Sequence, residues 1–107
     1  SEALKRRCLY LHIDYPDAER ETDIIRVRVP EIDATLATEI AEVVRSIRAL
    51  DLKKAPSVSE TIDWARTILL LGRASIDADL VADTLHVLLK YESDIAKARK
   101  GLQLPER

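Results

Sequence analysis

Cys8-Leu9-Tyr10-Leu11-His12-Ile13-Asp14-Tyr15-Pro16-Asp17 is where this chain changes period. Leu9, Leu11 and Ile13 alternate with Tyr10, His12 and Asp14, the two-residue repeat of a strand. After Pro16 the apolar spacing turns helical and stays so to the end. A lone short strand cannot satisfy its backbone or bury one face without a sheet, and nothing downstream offers one. The expectation is a strand left over from one domain, followed by an all-α body of four helices. Residues 1–16 then belong to an α/β core and residues 17–107 form a helical domain with a charged tail.

The helical part divides at its caps and breakers. Pro16 and Asp17 suit a helix start, because proline at the first position wastes no donor and early acids favour the positive helix end. The first helix runs over about 16–28, with Ile24, Ile25 and Val27 or Val29 as apolar contacts, and Pro30 stops it. Asp33 caps a second, reaching about residue 50, with the stripe Leu36, Ile40, Val43, Ile47 and Leu50. Ser57 and Glu60 have the spacing of a capping box and open the third. Its two adjacent apolar lines, Val58-Ile62-Ala65-Leu69 and Thr61-Trp64-Ile68-Leu71, make it broad-faced and central, and Gly72 ends it. Asp77 caps a fourth helix continuing to about residue 99, with Leu80, Val81, Leu85, Leu88, Tyr91 and Ile95 on its face. The four are expected to form a compact array with the second and fourth in contact and Trp64, Ile68, Leu85 and Leu88 buried.

Composition narrows the function. Of 107 residues, 47% are hydrophobic but only 4% aromatic, so the core is aliphatic and disorder is excluded. Seventeen basic and 19 acidic residues give a net charge of -2, without the basic excess of a general nucleic-acid binder. A helix-turn-helix reading fares poorly too, since the presumed recognition helix carries Glu60, Asp63 and Arg66. A single Cys8 rules out an internal disulfide and fits a reducing, cytoplasmic compartment. No apolar run approaches the ~18 residues of a membrane span. Two glycines in the whole chain leave no room for a phosphate loop. Cys8 and His12 share a strand face but lack further ligands, so no metal site is expected. Asp77 with Asp79, and Glu60 with Asp63, are explained by capping and solvation.

Three segments together resemble the C-terminal part of a MoxR-type AAA+ ATPase, in the branch associated with carbon-monoxide dehydrogenase maturation. The first is Ala3-Leu4-Lys5-Arg6-Arg7-Cys8 with the strand and Asp14-Tyr15-Pro16. The second is Lys54-Ala55-Pro56-Ser57-Val58-Ser59-Glu60-Thr61-Ile62-Asp63-Trp64-Ala65-Arg66. The third is Val81-Ala82-Asp83-Thr84-Leu85-His86-Val87-Leu88-Leu89-Lys90-Tyr91. The resemblance implies a four-helix AAA+ lid subdomain preceded by the last strand of the nucleotide-binding core. Such a lid couples ATP binding and hydrolysis, in a homo-oligomeric, hexameric ring, to remodelling or maturation of a partner. That partner is of the kind carrying a von Willebrand factor A domain. ATP and Mg would be bound by the intact parent and not by this piece, which lacks the groups that cradle phosphate and is expected to be inactive alone.

Residue by residue, Arg6 or Arg7 matches the arginine finger, with Arg7 preferred. Its planar fork would reach a phosphate held by the neighbouring subunit. Without the resemblance, the pair is simply the basic end of a helix. Many lids of this type carry Gly-Ala-Ser-Pro-Arg at the start of the third helix, its arginine serving as second sensor. Here the matching stretch is Ala55-Pro56-Ser57-Val58-Ser59, so Ser59 stands at the arginine position, with Lys54 or Arg66 as substitutes. The plain alternative for Arg66 is a surface ion pair with Asp63. The alternative for the whole chain is a stand-alone helical protein-interaction module without nucleotide chemistry.

Overall fold

The structure, a computed structural model, describes residues 15–105. The expected strand at 9–13, the Cys8–His12 pair, and Arg6 and Arg7 lie outside the described residues. Within them the chain forms five helices and no strand: α1 Ala18–Arg28, α2 Ala34–Arg48, α3 Val58–Leu70, α4 Ala78–Leu88 and α5 Glu92–Gly101. This corrects the expected body of four helices to one of five.

The starts follow from local chemistry. Asp17, Asp33 and Asp77 each cap a helix, accepting from backbone N–H groups two or three residues on. Ser57 and Glu60 close a full capping box on α3. Gly72, at φ 72°, ends α3 by turning left-handed, so that Arg73 N–H reaches Ile68 O and Gly72 N–H reaches Leu69 O. Gln103 does the same for α5 at φ 54°, without glycine's freedom, and brings Leu104 N–H onto Arg99 O.

The extra helix comes from a break inside the expected fourth one. Leu89 and Tyr91 take extended backbone, at φ -121°, ψ 136° and φ -109°, ψ 135°. No proline or glycine marks the place, and the apolar spacing runs through it in phase. The gain is tertiary. The bend turns Leu89 into the core and folds α5 back, so that Asp94 and Ala98 are buried. Tyr91, expected on the buried face, is 46% exposed instead. The end of α5 then comes so close to α2's exit that a Cβ on Gly101 would lie 2.8 Å from Leu50 Cδ2.

α3 is central as expected: α1, α2 and α4 all pack on it, and Trp64, Ala65 and Ile68 are sealed from solvent. α1 and α2 form the most extensive pair, α5 leans on α4, and α2 and α4 do not pack closely on each other, contrary to expectation. The buried line of α2 is Leu36, Ala37, Ile40, Ala41, Val44 and Ile47, while Val43 is only half-buried. Trp64 is also tied by its polar edge. Its Nε1–H donates to Thr84 Oγ1 at 2.7 Å, and that hydroxyl donates to Leu80 O at 2.7 Å.

One buried ion pair joins the N-terminal half. Arg48 Nη1 and Nη2 donate to the two carboxylate oxygens of Glu21 at 2.6 and 2.9 Å, and Arg48 Nε donates to Pro56 O at 2.9 Å. The side chains are 8% and 1% exposed, and the Tyr15 ring covers the guanidinium at 4.2 Å. A desolvated pair gains little over an apolar filler, but removing one partner strands the other charge. Glu21→Leu should therefore cost about 3 kcal/mol of unfolding free energy, and Arg48→Met a similar amount. The double change Glu21→Leu with Arg48→Met should recover most of it, less the bond to Pro56 O. Urea denaturation of the four proteins gives the cycle, and simple additivity of the two single losses would contradict the assignment.

Candidate functional site

The expected binding residues fall in two places. Lys54 and Ser59 lie at the start of α3, and Arg66 lies about 10 Å further along it, at 1.5 Å rise per residue. Ser59 is exposed on the first turn. Arg66 is exposed and turns away from that start, its Nη2 donating a long bond of 3.4 Å to Arg28 O at the end of α1. The surface pair with Asp63 does not form, and Arg66 and Lys54 do not converge.

What does converge on the start of α3 is a second lysine, Lys90, to which the sequence reading gave no role. Lys54 Nζ and Lys90 Nζ stand 3.7 and 3.5 Å from the same Glu60 oxygen. Lys90 arrives because the α4–α5 break puts it on an extended segment beside α3. Both lysines are about half exposed, at 52% and 57%, whereas the Glu60 side chain is 10% exposed. Lys53 adds a third charge nearby, lying over the Tyr91 ring at 5.3 Å.

The loop carrying Lys53 and Lys54 is fixed from both sides. Arg48 holds Pro56 O from the α2 side. Asp94, 1% exposed, accepts Lys53 N–H at 2.9 Å and Lys54 N–H at 3.0 Å from the α5 side. Lys97 Nζ adds a bond to Asp51 O. None of Arg48, Glu21, Asp94 or Lys90 stood out in the sequence. Each is a charged residue on a helix or at a helix end, and only the packing brings its partner.

The electrostatics favour a fixed anion at Glu60. Burial alone would raise its carboxyl, but the Ser57 N–H and hydroxyl, with Lys54 and Lys90, outweigh that and hold it below its ordinary 4.5. The cationic pair is thus already engaged by an internal carboxylate, and any incoming anion would compete with Glu60 for it. Among the described residues, no group of three or more His, Cys, Asp or Glu is placed to hold a metal ion. None of their helices is long and apolar enough to cross a membrane. Comparison with known proteins found no matching family model, no matching curated relative and no matching solved structure.

Because the folded-state carboxyl is the stronger acid, its stabilising contribution is complete above the unfolded value and is lost as pH falls through the lowered folded one. Glu60→Gln should cost about 1 kcal/mol at pH 7. The gap to wild type should close as pH falls below 4.5, in urea titrations over a pH series. A gap of constant size would show that the ionised form contributes nothing.

Proposed function

We propose that this chain is a helical protein-interaction module, acting through the surfaces it presents. One observation carries the reading: large apolar side chains are left in solvent at neighbouring helix ends. Val27, in the last turn of α1, is 76% exposed, and Leu70 and Leu71, at the end of α3, are 88% and 56% exposed. Arg66 bridges the two helices there through Arg28 O. The same body spends its buried polar groups internally, as with Glu21 on Arg48, Asp94 on two backbone N–H groups and Thr84 on Trp64. A well-packed core with large apolar side chains left exposed at helix ends suits docking against another polypeptide.

A second, more specific reading puts the module beside the nucleotide-binding core of a MoxR-type AAA+ ATPase, where it would relay nucleotide state to a remodelled partner. The three segments of resemblance support it, as does the meeting of exposed Lys54 and Lys90 beside Ser59 at a helix start. On this reading ATP and Mg bind in the parent ring, Lys54 and Lys90 face the nucleotide, and Arg7 or Arg6 acts across the subunit boundary.

The two readings separate by experiment. Val27→Glu and Leu70→Glu change exposed positions and should leave the melting temperature within about 2 °C, as surface substitutions do. Both should weaken association with a native partner at least tenfold in pull-down or calorimetry; full retention would remove the docking surface. For the ATPase reading the intact gene must encode a phosphate loop upstream. In that parent, Arg7→Ala or Arg6→Ala should lower kcat by about 10³-fold with little change in nucleotide affinity. Lys54→Ala with Lys90→Ala should instead raise KM for ATP. If neither arginine variant slows the intact oligomer, the finger assignment is wrong.

A further inference from the structure

α2 and α4 both pack on α3 but not closely on each other, and the space between them is only partly filled. Two adjoining depressions of about 310 and 250 Å³ run along it, sharing Val43, Ser46 and Ile76. Val81 and Leu104 extend the apolar floor, Leu104 held there by the left-handed turn at Gln103. Among the described residues the rim has one sign of charge: Glu39, Glu42 and Asp77 line the depressions, and no Lys, Arg or His does. Asp77 is offset by Arg73 at 2.7 Å, and its carboxyl is held below the ordinary value by Leu80 N–H and by Arg73. Glu39 accepts Ile76 N–H at 3.2 Å through one oxygen, leaving the other at the rim. Glu42 is exposed on α2, a turn before Ser46.

We infer that this groove docks a basic amphipathic helix of a partner protein, its apolar residues entering between α2 and α4 and its Lys or Arg side chains meeting Glu39 and Glu42. A trough between two helices that share a common support is shaped for a third, whose apolar side chains at i and i+4 would fill two neighbouring depressions. An acidic rim around an apolar floor selects a cationic flank and rejects an acidic one. The inference rests on the interaction-module reading but not on the ATPase reading, and it uses a face distinct from Val27 and Leu70.

The test uses a synthetic 16-residue helical peptide with Leu at i and i+4 and Lys on the flanks, and a matched peptide with Glu in place of Lys. Fluorescence anisotropy at low salt should give binding of the Lys peptide at micromolar Kd, weakened at least fivefold by 0.5 M NaCl, with the Glu peptide at least tenfold weaker. Glu42→Lys reverses the rim, and Ser46→Arg fills the trough from an exposed position. Each should weaken the Lys peptide about tenfold while circular dichroism and melting temperature stay unchanged. Amide and methyl NMR shifts on titration should centre on Val43, Ile76, Val81 and Leu104. Equal binding of both peptides, unchanged Kd in both variants, or shifts centred at Val27 and Leu70 would overturn the proposal. The last of these would leave the other docking surface intact. Concentration-dependent shifts at the groove without peptide would assign it to a second copy of this chain and also overturn it. Failure of Val27→Glu to affect association, with the groove results as expected, would remove the first surface and spare this one.

Discussion

The buried pair between Glu21 and Arg48 is the constraint on which the rest of the molecule depends. Arg48 is the last residue of α2, and its guanidinium reaches α1, the α2–α3 loop and the Tyr15 ring together. It therefore sets the register of the α1–α2 hairpin and the exit direction of the loop leading to α3. Its planar fork can do this at several points where a lysine could not. The cost is desolvation, recovered only because both carboxylate oxygens and Nε have partners. Replacing such a pair with apolar side chains of matching volume is often neutral or stabilising, whereas removing one partner alone is costly.

Asp94 plays the complementary part from the other end. With Arg48 on Pro56 O and Asp94 on two backbone N–H groups, the loop between α2 and α3 is fixed although it has no regular structure. That fixed loop places Lys54 beside Glu60, and the bend before α5 that buries Asp94 also delivers Lys90. The cationic start of α3 is thus a consequence of how α5 returns to the body. The same return leaves Leu102 and Leu104 at the edge of the α2–α4 groove. One bend at Leu89 and Tyr91 shapes both surfaces.

The apolar surface is distributed with a bias. The core is aliphatic around a single tryptophan whose polar edge is satisfied by Thr84, so the interior holds no loose polar handle at that point. Outside, Val27 and Leu70 belong to helices that bury Ile25 in α1 and Trp64, Ala65 and Ile68 in α3.

Helix boundaries are written in local chemistry along the chain. Asp17, Asp33, Ser57 with Glu60, and Asp77 mark helix starts, and Pro30 and Gly72 mark stops, because capping and backbone freedom depend on a few neighbouring residues. The central place of the third helix and the burial of Trp64, Ile68, Leu85 and Leu88 were likewise legible in apolar spacing. The remaining features depend on how the helices pack together. The break at Leu89 carries no breaker residue and is set by the burial of Leu89 and Asp94. Arg48 and Glu21 are separated by 27 residues, so their pairing has no local signature. The separation of α2 from α4 follows from how both lean on α3, and half-buried Val43 reads in the sequence like any other member of an apolar stripe. Spacing reports which side chains share a helix face, but the angle between helices fixes what that face meets.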